Sequence, residues 1–147
     1  MPTLTYRGVD IRRTDRSIFL EVIRGFDDEV DVRGADAIIV GKSGRFELNR
    51  VKDVRIVGLE GWVLGIGTTL DARRLSYRTL VDELHAIFDP TLAPGALVAT
   101  TPYLGIATGT KTIQVRYVNS LWDDPVQGFF RRVSVELECI ASPPNWT

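Results

Sequence analysis

The chain has 147 residues, 44% of them hydrophobic and 25% charged, an average balance for a globular fold and a length that predicts one core and one domain over 1–147. Eighteen basic residues against nineteen acidic ones leave a formal charge of −1, so no overall field gathers nucleic acid or an anionic membrane. The single cysteine, Cys139, excludes an internal disulfide and a multi-thiolate metal site; its place in an alternating apolar pattern predicts a buried, reduced thiol.

The start, Met-Pro-Thr-Leu-Thr-Tyr-Arg, lacks the basic opening and apolar run of a signal peptide, and no stretch approaches the ~18 apolar residues of a spanning helix. Synthesis and folding in a cytoplasm, with no membrane segment, are expected. Ile18 to Ile23 is short, β-branched and aromatic-rich and precedes Arg24-Gly25, which predicts a strand with Ile18, Leu20 and Val22 on one face. The acidic stretch from Phe26 to Asp36 has no helical period; the apolar run 37–40 and the punctuation Gly41-Lys42-Ser43-Gly44 then read as a short strand and a turn.

From Asp53 to Leu64 apolar residues are interrupted by Gly58 and Gly61, which predicts a strand with a bulge or a close backbone approach. Gly65-Ile66-Gly67 bends into a helix over about 70–88, where Tyr77, Leu80, Val81, Leu84, Ile87 and Phe88 recur at spacings of three and four. Thr69 or Asp71 can cap its start, and Asp89-Pro90 stops it, because the proline ring disfavours the helical conformation of the preceding residue.

A strand is expected at 96–101. Thr112 to Val118 alternates, with Ile113, Val115 and Tyr117 inward. Asn119 to Gly128 is rich in turn formers and reads as a ten-residue loop, after which Phe130, Val133, Val135, Leu137 and Cys139 alternate against Arg132, Ser134, Glu136 and Glu138. Strands, one helix, then strands make a mainly β or α+β fold: an antiparallel β-sandwich with one packed helix and a long C-terminal hairpin.

Candidate chemistry is sparse. The one histidine, His85, lies inside the helix with no matched motif around it, and nothing selects two of nineteen acids as a catalytic pair. Gly65-Ile66-Gly67 lacks the third glycine of a dinucleotide loop, and Gly41-Lys42-Ser43 lacks the upstream glycine of a nucleotide-binding loop. Asp27, Asp28, Glu29 and Asp31 lack the spacing of a calcium loop and read as a solvated or channel-facing acidic segment. These residues call for no catalytic centre, metal or cofactor. Arg33, Asp36, Arg45 and Arg50 mix signs within a short stretch, and Trp122, Phe129 and Trp146 lie in or beside turn-rich segments; both features suit contacts between identical subunits.

A family resemblance rests on Asp31-Val32-Arg33-Gly34-Ala35-Asp36, Gly44-Arg45-Phe46 with Asn49-Arg50, and Arg55-Ile56-Val57-Gly58-Leu59-Glu60-Gly61-Trp62-Val63. The C-terminal Arg132-Val133-Ser134-Val135-Glu136-Leu137-Glu138-Cys139-Ile140, closing on Ser142-Pro143-Pro144-Asn145-Trp146, adds to it. The chain resembles siphophage distal tail proteins, especially short forms from actinobacterial phages, from about residue 30 onward. That resemblance implies a virion subunit without enzymatic activity. It also implies six copies in a ring between tail tube protein and tail-tip hub protein, with a channel through which tape measure and DNA pass. The galectin-like second domain of longer members has no counterpart here. A tail tube or tail terminator subunit is the structural alternative. A small carbohydrate-binding module using Trp62, Trp122 and Trp146 is the alternative from another class.

Overall fold

Leu4 and Tyr6 are both fully buried, and the residue between them is not. This period of two makes the first strand, β1 (Leu4–Tyr6), too short to stand out in the sequence. The computed structural model describes residues 3–27, 32–33, 36–38, 45–47, 51–52, 54–140 and 144–147. The next strands are β2 (Val9–Asp10), β3 (Ile18–Arg24), β4 (Val32–Arg33), β5 (Asp36–Ile38), β6 (Arg45–Glu47), β7 (Val51–Lys52) and β8 (Arg55–Leu64). Helix α1 (Leu70–Ile87) follows, then β9 (Gly95–Thr100), β10 (Thr110–Trp122) and β11 (Phe130–Cys139).

Seven strands form one antiparallel ladder in the order β2-β1-β9-β10-β11-β8-β3. β10 joins its two halves. Its residues Thr110–Val115 pair with β9, and Arg116–Trp122 pair with β11, with a register shift between Tyr117 and Asn119. The outer strands also meet: Arg13 N donates to Ile18 O and Leu20 N to Ile11 O, both at 2.8 Å, around a bridge from Arg12 to Phe19. The ladder therefore folds back on itself as two layers around one core, with β4–β7 and β5–β6 as separate two-stranded pairs. This is the mainly antiparallel β architecture with one helix that the hydrophobic pattern predicts.

The core draws on both layers and on the helix: Leu4, Tyr6, Leu20, Leu59, Val63, Leu84, Leu97, Val115 and Leu137 are buried together. Tyr77, Leu80, Val81, Leu84 and Ile87 form the buried stripe of α1, as the spacing of three and four requires. Thr69 caps the helix, its Oγ1 accepting from Ala72 N at 3.1 Å. Phe88 closes the far end, lying 5.6 Å from the Tyr6 ring and 5.8 Å from Tyr117. Cys139 is buried and free.

Two glycines mark where neighbouring backbones come closest. A Cβ on Gly61 would stand 1.7 Å from the Phe19 carbonyl oxygen, so the close approach expected in this strand is real. The accompanying bulge lies on the partner, β3, between Val22 and Arg24, while the β8–β11 register runs unbroken. A Cβ on Gly65 would stand 1.9 Å from Arg73 O, so the Gly65-Ile66-Gly67 bend is where strand and helix backbones touch.

One expectation is corrected. The stretch 119–128 is not all loop, because β10 continues through Trp122 and pairs Asn119, Ser120, Leu121 and Trp122 with β11. The turn-forming residues Asn119 and Ser120 are held in the ladder by the hairpin partner, a case of tertiary context overriding local propensity. The apolar strand proposed at 37–40 is described as Asp36–Ile38, and residues 39–44 lie outside the described residues.

Candidate assembly surfaces

The alternation of β3, β8, β10 and β11 turns one set of side chains into the core and the other onto an outer face. Cross-strand register places Glu21 opposite Glu60, Glu60 opposite Ser134, and Ser134 opposite Leu121, so these four form one row on that face. The next row sets Phe19 opposite Trp62 and Trp62 opposite Arg132. Phe19 and Trp62 stack at 4.9 Å, and the Trp62 Nε1 donates to Arg16 O at 3.1 Å.

These rows border a shallow depression of about 530 Å³ whose lining includes Glu21, Ile23, Glu60, Trp62 and Arg132. A second, of about 270 Å³, adjoins it between Glu60, Leu121, Asp123, Arg132 and Ser134. Like charges face each other at Glu21 and Glu60; among the described residues Glu21 has an ionic partner, Arg12 at 3.3 Å, and Glu60 has none. Further along, Arg24 pairs with Glu136 at 2.8 Å and Arg116 with Glu138 at 2.6 Å. Exposed pairs like these contribute little stability but make the face polar and self-satisfied at its margin.

The opposite side of the molecule is formed by α1. Trp122 points inward from β10 and its ring meets His85 edge-on at 5.4 Å, while its Nε1 donates to Ser120 Oγ at 3.0 Å. His85 is an exposed residue on the helix flank whose contact is with the Trp122 indole. The solvent face of α1 carries Arg73, Arg74, Leu75 and Arg78. Arg73 lies over the Phe129 ring at 5.5 Å, and Arg74 Nε donates to Gln127 O at 3.1 Å, which fixes the β10–β11 loop against the helix.

The residues singled out from the sequence fall in several places. Trp122, Phe129 and Trp146 are half-buried and pack within the chain; the Trp146 ring meets Phe26 edge-on at 5.1 Å. Trp62, Trp122 and Trp146 form no common platform, since Trp62 is on the outer face, Trp122 on the inner face and Trp146 beside Gly25. Arg33, Asp36 and Arg45 belong to the short strands β4, β5 and β6, and Arg50 lies outside the described residues. Asp27 is exposed just after β3, and Asp28, Glu29 and Asp31 lie outside the described residues. The exposed Leu75 was missed, because a helical stripe read for its buried side gives no signal of an apolar residue on the other face.

Asp15 is held below the usual carboxylate range because it accepts from Ser17 N and Oγ, and Asp89 likewise by Thr91 Oγ and N. The Tyr103 hydroxyl is pushed up by burial, although it accepts a 2.8 Å hydrogen bond from Val22 N. Among the described residues no group of three or more His, Cys, Asp or Glu is arranged to hold a metal ion, and no helix is long and apolar enough to cross a membrane.

No family model matches the chain, and no curated protein matches it by sequence. Among solved structures it is similar to the Dit protein of phage SPP1, described as a paradigm of the hub adsorption apparatus in phages that infect Gram-positive bacteria. The TM-score is 0.59 at 19% identity, over 94% of this chain and 49% of that one. The chain thus spans about half the length of the Dit protein, and its fold is Dit-like.

Proposed function

We propose that the protein is a structural subunit of a phage or phage-like tail, forming a hexameric ring at the distal end of the tube. The observation that carries this reading is the shared fold with a phage adsorption-apparatus protein over nearly the whole chain. Such a ring joins tail tube to tail-tip hub, and the subunit acts by shape and contact, with no catalytic step. Its place is the virion tail, after synthesis and assembly in the host cytoplasm.

In this reading Arg33, Asp36, Arg45 and Arg50, with the solvent edges of Trp122, Phe129 and Trp146, contribute to subunit contacts. The segment containing Asp27, Asp28, Glu29 and Asp31 faces the channel. An acidic lining repels a passing polyanion and keeps DNA from sticking. Charge reversal across that segment is expected to slow DNA ejection, and an unchanged ejection rate would remove the channel assignment.

The test is native mass together with negative-stain images of the purified protein. Hexamers with a central hole, single or stacked in pairs, support the distal ring. Long tubes transfer the assignment to a tail tube subunit. A monomer at the highest soluble concentration counts against a self-assembling ring.

A further inference from the structure

Among the described residues the two most exposed large hydrophobic side chains are Leu75, at 72%, and Leu121, at 71%. Their surroundings carry opposite charge. On α1 the charged neighbours of Leu75 at helical spacing are Arg78, three residues after it, and Asp71, four before it, and Arg74 extends the basic side of this face. Leu121 borders the smaller depression on the outer sheet face, which also contains the exposed Glu60 and Asp123. Among the described residues neither the Arg78 nor the Glu60 side chain has a hydrogen bond or ion pair. Asp71 and Asp82 flank the basic cluster on the helix, and Arg132 is the basic side chain in the depression.

The two leucines also point away from each other. Trp122 reaches inward to His85 on α1, so its neighbour Leu121, on the alternate face of β10, points to the side away from the helix. An exposed leucine next to Arg78 on one side, and an exposed leucine bordering a depression that holds Glu60 on the other, have the form of a small apolar centre with a complementary charge at its rim. Each patch alone is an isolated exposed residue. Together, on opposite sides of one chain, they have the arrangement that a head-to-tail contact requires.

We propose that the Arg74–Leu75–Arg78 face of α1 in one copy seats against the Glu60–Leu121–Asp123 face of the next copy. This assignment rests on the ring reading and names the surfaces that build it. The contact is heterologous, so each copy offers both halves and the series closes or continues according to its rotation. Leu75 and Leu121 supply the desolvated centre, while Arg78 opposite Glu60 sets register and excludes a helix-to-helix pairing, where like charges would meet.

The experiment is a charge exchange read by native mass spectrometry and sedimentation velocity on the full chain. Glu60→Lys and Arg78→Glu each place like charges across the contact, and each alone is expected to weaken association at least roughly tenfold. Both positions are exposed, so circular dichroism and melting temperature should match the unmodified chain. An equimolar mixture of the two variants restores opposite charges at every contact and should recover assemblies of the original size. Variants that assemble singly as the unmodified chain does would overturn this surface assignment and leave the ring reading standing. Failure of the mixture to assemble would overturn the pairing of these two faces. An unmodified chain that stays monomeric would overturn both.

Discussion

The Trp146 indole donates a 2.8 Å hydrogen bond to the carbonyl of Gly25, fastening the C-terminal segment to the bend that ends β3. Arg55 reinforces the same junction, with Nη1 on Gly25 O at 3.1 Å and Nε on Pro144 O at 2.8 Å. Thr147 then exchanges backbone hydrogen bonds with Thr112 on β10, at 2.8 and 2.9 Å. Trp146→Phe should remove about 1 kcal/mol by losing the indole donor. Trp146→Ala should remove about 2 kcal/mol, because the half-buried edge contact with Phe26 goes as well. Urea denaturation of the two variants measures both; equal losses would mean that the ring contributes nothing beyond its hydrogen bond.

Gly61 is expected to tolerate no side chain. The Phe19 carbonyl oxygen occupies the space of a Cβ, and the atom in the way belongs to the backbone of a paired strand, not to a flexible side chain. Gly61→Ala should therefore destabilise the fold by about 3 kcal/mol, as overpacking against backbone does. Amide exchange should show the loss first at β3. A variant as stable as the parent would mean that β3 shifts outward at little cost.

Acid should release the turn that buries Ser17. The Asp15 carboxylate accepts from Ser17 N at 2.9 Å and from its Oγ at 2.7 Å, and these bonds lower its folded pKa below 3.8. A depressed carboxylate stabilises the fold above its unfolded pKa, and that stability is lost as pH falls from 3.8 through the folded value. Asp15→Asn should thus lower stability by about 1 kcal/mol at neutral pH, a discounted figure for an exposed group. The gap between variant and parent should shrink in melts taken below pH 3.8, whereas a constant gap would assign the effect to packing.

His85 should be dispensable for assembly. Its ring touches Trp122 edge-on and is otherwise exposed, so His85→Ala should change stability by no more than about 1 kcal/mol. Native mass should be unchanged. A loss of assembly with stability intact would give this histidine a direct role in a subunit contact.

Local pattern accounts for the elements that were legible. In α1 the stripe from Tyr77 to Ile87 and the Thr69 cap are written within nineteen consecutive residues, so the helix is readable without knowing what it packs against. β11 alternates cleanly enough that its inward residues, Val133, Val135, Leu137 and Cys139, follow from period alone. β1 was not legible because three residues carry too little pattern, and its burial depends on β9, whose residues lie more than ninety positions away. Leu121 and Trp122 show the same limit at a boundary: turn-forming neighbours suggested a loop, and only pairing with Val133 and Ser134 makes them strand residues on opposite faces.

By itself the sequence determined the class of the fold, the position of its helix, the inward faces of its longer strands and the place of Cys139 in the core, because each depends on spacings of two, three or four residues. Only the tertiary structure decided how the ladder closes through Arg12 and Phe19, which glycines admit a neighbouring backbone, and which side of the molecule each exposed leucine takes. Those outcomes depend on contacts between residues far apart in the chain, and a surface is assembled from exactly such contacts, so its charge and shape appear only once the core has set every strand in register.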